Sequence, residues 1–266
     1  MTAPLTCLYI NLDAATERRA QLEASFQAAA PAGAVLRRVS AIDRDAGGEH
    51  AGSCSRAEKG CFLSHRRALQ ASLEHPGDVL IVEDDTVFSA RGFGVLGGIL
   101  RAEVPWDILF TDLATLSVAD TFRYLRKRES FEKDGQFAVE DLASTPFAAA
   151  SAYVVREHSK QTLLDLTEVA AINEGYDFAL SRLVQGRALA AKVVIPFLTT
   201  IGPTAEASQI PRQETATLLA LNATRRLVYV DRDLAACDDA LNQLVERLTP
   251  AGRRAGLLLG AVFSDQ

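Results

Sequence analysis

The stretch Asp78-Val-Leu-Ile-Val-Glu-Asp-Asp85 joins four apolar residues directly to three consecutive carboxylates. A continuous apolar run that follows Pro76-Gly77 is typical of a β-strand covered on both faces, as in the sheet of an α/β protein. The acidic residues then lie at the carboxyl end of the strand, where open α/β sheets bind their ligands. The stretch therefore predicts the fold class and the location of a functional site together.

The segments on both sides of this strand alternate between strand-like and helix-like patterns. Ser55 and Glu58 form a capping box, in which each side chain satisfies a backbone N–H group at the start of a helix that runs to about residue 74. The other predicted strands cover residues 6–12, 35–42, 106–113, 148–155 and 191–197, and the other predicted helices cover residues 13–30, 157–171 and 176–185. This alternation predicts an α/β fold with a sheet that is at least partly parallel.

Weaker patterns assign the remaining segments. Residues 43–53 are predicted as a polar loop, and residues 121–128 and 136–139 as a hairpin over the site. From residue 213 onward the sequence is largely compatible with helix, so we expect a main domain over residues 1–211. A helical extension over residues 212–266 then packs on this domain or on a partner subunit. We expect its apolar end, residues 257–263, to pack in a core, with contact to a membrane surface or a second subunit as the alternatives.

Composition excludes several classes of protein. The chain has 266 residues and a formal net charge of -6, so it lacks the basic balance of proteins that track nucleic acid. No run of about 18 apolar residues is present, and Asn11 and Asp13 interrupt the first apolar stretch before it could form a signal-peptide core. We therefore expect a cytoplasmic protein. Its four cysteines form no Cys-x-x-Cys pair, so neither a structural zinc site nor a disulfide framework is predicted.

The acidic triplet is a natural site for a hard cation. Glu83 and Asp85 are two residues apart, so their carboxylates point the same way if the chain stays extended. Asp84 is therefore the weakest of the three as a candidate metal ligand. One alternative is a solvated acidic turn that binds no metal. Another is the phosphoacceptor strand of a receiver domain, with Asp112 as the phosphoacceptor, although receivers open with this strand and here two strand-helix units precede it.

The helix that begins after Ser55 carries two further candidates. His65 shares a helix face with Cys61 and Leu69, four residues before and after it, and this face points toward the sheet. A satisfied core histidine is the alternative to a ligand or a base at this position. Ser64 is a candidate hydrogen-bond donor.

Three charged positions elsewhere are open to two interpretations each. Arg18 could reach a phosphate, or lie on a solvated helix face. Asp177 could act chemically, or only cap the helix that it begins. The basic cluster Arg126-Lys-Arg128 could meet a diphosphate, or form a solvated edge. Classical nucleotide and hydrolase motifs such as the P-loop are absent from the sequence.

Taken in order, these pieces resemble glycosyltransferase family 25, which includes lipooligosaccharide galactosyltransferases and collagen galactosyltransferase domains. The residues that carry the resemblance are Tyr9-Ile-Asn-Leu-Asp13 with Arg18, Ala41-Ile-Asp43, Glu58-Lys-Gly-Cys-Phe-Leu-Ser-His65 and Glu83-Asp84-Asp85. Softer matches are Ser151-Ala-Tyr-Val-Val155, Tyr176-Asp177, and Pro196 with Ser208-Gln-Ile210. The resemblance covers about residues 5–211.

The resemblance implies a GT-A-like, Rossmann-type fold, a UDP-sugar donor, usually UDP-galactose, and a manganese or magnesium ion. It implies that Glu83 and Asp85 hold the metal. We expect direct displacement with inversion, in which Asp177 takes the proton of the acceptor hydroxyl and Asp112 is the reserve for that role. The residues expected around the donor are Asn11, Arg18, Asp43, Ser64, His65 and Asp84.

The resemblance also bears on partners. It implies a saccharide, lipid-linked or peptide acceptor, a place in bacterial lipopolysaccharide biosynthesis, and work at the inner face of the membrane, while peripheral membrane contact and a homo-oligomer stay open. Two departures from the family pattern are Gln209, where the family usually has Asp, and the absence of any His after His158. Any third metal ligand is then a carboxylate, water or the donor. A non-catalytic protein that binds a sugar nucleotide is the alternative function.

Overall fold

Strands and helices alternate along most of the chain. The structure is a computed structural model and describes residues 5–102, 104–203 and 216–264. Its strands are β1 (Thr6–Asn11), β2 (Val35–Ser40), β3 (Val79–Glu83), β4 (Thr86–Phe88), β5 (Ile108–Thr115), β6 (Ala138–Asp141), β7 (Phe147–Val155), β8 (Ala191–Ile195) and β9 (Thr199–Ile201). Its helices are α1 (Thr16–Ala29), α2 (Arg44–Gly47), α3 (Arg56–Ser72), α4 (Ala90–Arg101), α5 (Val118–Asp134), α6 (Lys160–Leu166), α7 (Tyr176–Gln185), α8 (Ala216–Val228), α9 (Leu234–Arg247) and α10 (Pro250–Ser264).

Seven strands form one mixed sheet in the order β2-β1-β3-β7-β5-β8-β6, and β4 pairs with β9 in a small second sheet. β1 lies parallel to both β2 and β3, whereas β7 runs antiparallel to both β3 and β5. β8 is parallel to β5, and β6 is the antiparallel edge strand beside β8. The predicted α/β class, with a mixed sheet and a helical C-terminal part, is confirmed.

The apolar run of β3 is buried on both sides, as its sequence predicts. Val79 and Ile81 belong to the core that includes α3 and α7, whereas Leu80 and Val82 belong to the core on the other face, with α1 and α4. Each of these side chains contributes about 1.5–3 kcal/mol when it is fully buried. Helices on both faces therefore fix β3 in the middle of the sheet, and its acidic end is fixed with it.

This topology contradicts the receiver alternative. A receiver has strand order 2-1-3-4-5 in a doubly wound sheet. Here the strand that carries the acidic triplet is the third in the chain, and one of its neighbours is the antiparallel β7. The phosphoacceptor hypothesis is therefore wrong.

The hairpin predicted at residues 121–128 and 136–139 is also wrong. Residues 121–128 lie inside α5, which begins after the Ser117 side chain accepts a hydrogen bond from the Asp120 N–H group and ends at Gly135 in the left-handed conformation. The buried side chains of α5 are Tyr124, Arg128 and Phe131, which recur at helical spacing. Only the second half of the hairpin is extended, as part of β6.

The loop predicted at residues 43–53 contains the short helix α2, which packs closely on α3. A Cβ atom on Gly60 would lie 2.7 Å from the Ile42 carbonyl oxygen, and one on Gly47 would lie 2.5 Å from the Gly60 nitrogen. Glycine at both positions therefore lets the segment after β2 and the end of α2 approach the first turns of α3. The capping box of Ser55 and Glu58 at that helix start is confirmed.

The C-terminal helices differ in how closely they pack against the rest of the protein. α8 packs against β5, β9 and α5. In α10, Phe263 stacks on Phe122 of α5, but the prediction of core packing for residues 257–263 is wrong for several members, because their side chains are exposed: Leu257, Leu258, Leu259 and Val262. Among the described residues, no helix combines the length and apolar character needed to cross a membrane.

Some predictions concern residues that the structure does not describe. The boundary between residues 1–211 and 212–266 falls in this part of the chain, so the division into a domain and an extension stays a prediction. Gln209 and the match Ser208-Gln-Ile210 also lie outside the described residues.

Arg128 is a buried cation, and not part of a basic surface that could meet a diphosphate. Its guanidinium donates to the carbonyl oxygens of Tyr229 at 3.2 Å and Arg232 at 2.9 Å, and pairs with Glu132 one turn along α5. Lys127 pairs with Glu140 at 2.7 Å, so the cluster is divided between a structural contact and a surface ion pair. Through these hydrogen bonds Arg128 links the segment after α8 to α5.

We predict that Arg128→Ala lowers the free energy of unfolding by about 3 kcal/mol, because buried carbonyl groups lose a charged donor. Urea denaturation followed by circular dichroism measures this change. The matched control is Arg126→Ala, since Arg126 is exposed on the same helix, and it should change the stability by less than about 0.5 kcal/mol. Equal stability of the two variants would contradict the role given to Arg128.

Candidate active site

A cavity of about 140 Å³ opens at the carboxyl ends of β1, β2 and β3. The three strands are parallel, so the residues that follow them meet at one edge of the sheet, and the first turns of α3 close one side. Eight residues proposed from the sequence line this one cavity: Asn11, Arg18, Asp43, Ser64, His65, Glu83, Asp84 and Asp85. The structure therefore brings together the residues expected to hold the metal and the donor, while their chemical roles stay predictions.

Asn11 joins the ends of the three strands. Its amide nitrogen donates to the Asp84 carboxylate at 2.8 Å, and its amide oxygen accepts hydrogen bonds from Arg19 and Arg38. The Asn11 side chain is almost completely buried, so these hydrogen bonds fix the orientation of its amide group. Asn11 therefore acts on the cavity through Asp84, by fixing the orientation of its carboxylate.

Arg18 lies between two carboxylates of the triplet. Its guanidinium is 2.7 Å from an Asp84 oxygen and 3.3 Å from an Asp85 oxygen. The Nε atom of Arg18 and the Oδ1 atom of Asp85 are both buried and have no hydrogen-bond partner among the described residues. Burial and the negative charge of Glu83 together raise the pKa of Asp85 to about 7, against the opposing charges of Arg18 and Arg225. Arg18 therefore pairs with one oxygen of Asp85, and the other, Oδ1, has no partner among the described residues.

Glu83 faces away from Arg18, toward α3. Its Oε1 atom is 3.2 Å from Nε2 of His65 and 3.9 Å from the sulfur of Cys61. Burial acts to raise the pKa of Glu83, but hydrogen bonding and charge from His65, together with the charges of Arg225 and Arg18, lower it below its usual value. The three carboxylates of the triplet therefore have different environments.

His65 is more constrained than a histidine in an apolar core. Its ring is 1% exposed, stacks on Tyr176 at a centroid distance of 4.4 Å, and places Nδ1 at 3.2 Å from the Tyr153 hydroxyl. The Tyr153 hydroxyl in turn donates to the Tyr176 hydroxyl at 3.2 Å. Both ring nitrogens thus have polar neighbours, and Nε2 is the one that points toward the triplet.

Two of the residues proposed to surround the sugar-nucleotide donor form hydrogen bonds within the local structure. The Ser64 hydroxyl accepts a hydrogen bond from the Ile42 N–H group at 2.7 Å and donates to the Gly60 carbonyl oxygen at 2.6 Å. The Asp43 carboxylate caps α2, accepting from the N–H groups of residues 45 and 46. These contacts hold the end of β2 against α3, and so shape the cavity wall.

Asp112 does not line the cavity, and the structure disfavours it as a reserve base. Its carboxylate is 1% exposed and forms a bidentate ion pair with Arg225 of α8, with distances of 2.9 Å and 2.5 Å. The same guanidinium also contacts the Ser151 hydroxyl. A base must reach the proton that it abstracts. Both oxygens of Asp112 are instead buried and paired with the Arg225 guanidinium, which stays charged at neutral pH.

Asp177, the first candidate for the base, is also outside the lining of the cavity. One of its oxygens accepts from the Ala149 N–H group at 2.9 Å and the other from the Phe178 N–H group at 3.0 Å. Ala149 lies in the left-handed region, with φ 65°, so this hydrogen bond supports a strained turn of β7. The N-cap residue of α7 is Gly175, without a side-chain cap, so the capping interpretation of Asp177 is wrong. Its carboxylate instead links α7 to β7.

Sequence reasoning did not find Arg225, and it treated Cys61 only as a neighbour of His65. Arg225 is 113 residues from its partner Asp112, and nothing in the local sequence of α8 marks it. One signal was available: an aspartate buried after an apolar run requires a buried cation. That requirement predicts a partner for Asp112 but not its position in the chain.

The residues present fit a divalent cation in charge and in one specific atom. Asp85 Oδ1 is a buried carboxylate oxygen without a partner in the described part of the chain, beside the negative charge of Glu83. Such an oxygen is a suitable ligand for a hard cation. The three carboxylates do not converge as one set. Within the described residues, the group of three potential ligands whose donor atoms lie within 4.8 Å of one another is Cys61, His65 and Glu83.

Comparisons with known proteins give weak likenesses. The chain matches no family model and no curated protein. Two crystal structures of the glycosyltransferase GlyE of Streptococcus pneumoniae TIGR4 superpose with a TM-score of 0.39, at 11% and 10% identity, over 71% and 72% of this chain. A nucleoside-diphosphate-sugar pyrophosphorylase of Vibrio cholerae RC9 gives a TM-score of 0.34 and 9% identity, over 76% of this chain and 79% of that one. The chain spans 45% of the GlyE chains. Likeness at this level carries no argument about activity, which rests on the cavity itself.

We predict that Arg225→Met lowers the free energy of unfolding by about 3–5 kcal/mol, because it leaves the Asp112 carboxylate buried without a cation. The double variant Arg225→Met/Asp112→Leu should recover most of this loss, since two apolar side chains of similar size replace the pair. Urea denaturation of the two single variants and the double variant gives the coupling energy. A double variant as unstable as the sum of the singles would show that the ion pair is not the connection between α8 and β5.

Proposed function

We propose that the chain is a metal-dependent glycosyltransferase of GT-A type that transfers a hexose from a UDP-sugar to an acceptor hydroxyl with inversion. The observation that carries this proposal is the buried Oδ1 atom of Asp85, which has no partner among the described residues and belongs to a cavity that Glu83 and Asp84 also line. A cavity of this charge attracts a divalent cation, and through it the diphosphate of a sugar nucleotide. The resemblance to family 25 makes galactose the first sugar to test.

Glu83 and Asp85 are the residues that we propose to hold a manganese or magnesium ion. When bound, a divalent cation of this kind stabilises negative charge on a departing nucleotide diphosphate. The Asp84 carboxylate contacts Asn11 and Arg18. We therefore assign it the role of positioning Arg18, and not that of a metal ligand. This assignment agrees with the sequence analysis, in which Asp84 is the weakest candidate metal ligand of the triplet.

The cavity also has cationic side chains suited to an anionic donor. Arg18 of α1 and Arg44, the first residue of α2, both line it. Arg44 is exposed and lies 3.8 Å from Asp45, a separation typical of a weak surface pair. Arg44 is therefore free to move toward a diphosphate, while Arg18 is fixed by the carboxylates. The position of the cavity at the ends of parallel strands agrees with nucleotide binding in α/β sheets.

Asp177 remains the proposed base for the acceptor hydroxyl, and the acceptor is a saccharide, a lipid-linked saccharide or a peptide. The second candidate function is a protein that binds a sugar nucleotide without transferring the sugar. One observation favours it: Asp177 and Asp112 both have structural partners, and neither lines the cavity. The two functions share the donor site and differ in whether free UDP is formed.

We predict that Asp85→Asn weakens the binding of UDP in the presence of manganese by at least about tenfold, which corresponds to about 1.4 kcal/mol. Isothermal titration calorimetry measures the affinity. The substitution should leave the fold intact, because the pKa of about 7 means that the carboxyl group is already partly protonated at neutral pH, and asparagine resembles that form.

The matched control is Glu129→Gln, which removes an exposed carboxylate on α5 without touching the cavity, and it should bind UDP as the wild type does. Unchanged manganese-dependent binding in Asp85→Asn would remove Asp85 from the site. Failure of the wild type to bind UDP would remove both candidate functions.

A further inference from the structure

We propose that Cys61, His65 and Glu83 form a binding site for a zinc-class cation, which shares Glu83 with the proposed hard-cation site and differs from it in the other ligands. The thiol sulfur, the Nε2 atom and a carboxylate oxygen of these residues lie within 4.8 Å of one another. All three residues line the cavity, so an ion bound by them has one coordination position open toward it. Three protein ligands with an open position are typical of zinc sites that exchange a ligand.

The distances between the donor atoms suit a tetrahedral ion. Zinc bonds of about 2.0 Å to nitrogen and oxygen and about 2.3 Å to sulfur place the ligand atoms roughly 3.3–3.5 Å apart. The observed separations from Glu83 Oε1 are 3.2 Å to His65 Nε2 and 3.9 Å to Cys61 Sγ. The Cys61 sulfur lies within 4.8 Å of His65 Nε2, so the thiol moves toward the other two ligands when the ion binds.

The backbone supplies two of the ligands from one rigid element. Cys61 and His65 are four residues apart on α3, so they share one face of the helix, and the capping box fixes its first turn. Glu83 is the last residue of β3, whose other four residues are buried. The sequence gives no Cys-x-x-Cys pair, and this site needs none, because helix spacing and the strand end bring its ligands together.

Hydrogen bonds behind His65 select the tautomer that a metal requires. The Tyr153 hydroxyl donates its proton to Tyr176, so it accepts from the Nδ1–H group of His65. The lone pair of Nε2 then points at Oε1 of Glu83. Two lone pairs at 3.2 Å repel each other unless a cation lies between them, which can be a proton or a metal ion. A hydrogen-bonded second ring nitrogen is the usual support of a histidine ligand.

The chemistry of the donors selects the class of ion. Thiolate and imidazole ligands prefer zinc and cobalt, whereas magnesium and manganese prefer oxygen. On binding, the Cys61 thiol releases its proton to solvent, and the sulfur and nitrogen each give a lone pair to the ion without any change of oxidation state. The site uses the Oε1 atom of Glu83. The proposal goes beyond the transferase function and does not require it.

Cobalt(II) titration of the full-length, reduced protein in the absence of nucleotide tests the site. The expected result is a near-ultraviolet thiolate-to-cobalt charge-transfer band that saturates at one ion per chain and is lost in Cys61→Ser. The matched control Cys54→Ser should keep the band, because Cys54 is a half-buried thiol outside the cluster. Absence of the band in the wild type, or its persistence in Cys61→Ser, would overturn the proposal.

A measurement on the wild type covers the case in which Cys61→Ser fails to fold. Zinc should slow the alkylation of Cys61 by iodoacetamide, followed by peptide mass spectrometry, and leave the rate at Cys54 unchanged. Equal rates at Cys61 with and without zinc would also overturn the proposal. Both readouts are obtained without UDP, so a chain that binds zinc but no UDP rejects the transferase alone, and a chain with manganese-dependent UDP binding but no thiolate band rejects this site alone.

Discussion

Buried negative charge at the carboxyl end of the sheet is the constraint on which the rest of the structure depends. Asp84 and Asp85 follow β3, Asp112 lies within β5, and each has little or no contact with water. An isolated buried carboxylate costs several kcal/mol, so the fold must bring cations to this edge. Arg18 supplies one from α1 and Arg225 another from α8. What these cations leave uncompensated, at Asp85 Oδ1, is the basis for a ligand site.

This constraint connects the ends of the chain to the middle of the sheet. α8 contributes a charge that the centre of the protein needs, so it is not a separate appendage, and Arg128 holds the segment after α8 from the opposite side. The exposed apolar side chains of α10 show that the last helix lacks such a connection. Stability and function share residues here: the contacts of Asn11, Ser64 and Asp43 complete the fold and also set the walls of the cavity.

The sequence could predict the features that depend on local patterns. The apolar run before Glu83 predicts a strand buried on both faces, and Ser55 with Glu58 predicts the start of α3, because each signal is contained within a few residues. α5 was predicted incorrectly because its first half alternates weakly, and its helical burial pattern appears only when Tyr124, Arg128 and Phe131 are read together. The gathering of eight proposed residues in one cavity follows from parallel pairing of β1, β2 and β3. Arg225 was not predictable, because its partner is set by tertiary packing across more than a hundred residues.

The central claim is that the carboxylates of this cavity bind a metal ion that a UDP-sugar donor requires. The most direct measurement is the release of UDP from a panel of UDP-hexoses by the full-length protein, with manganese and then with a chelator, in the presence of saccharide acceptors. The account predicts UDP release that depends on manganese, stops on chelation and returns when the ion is restored. UDP release that is equally fast with the chelator, or no UDP release and no binding of any donor with manganese, would contradict it.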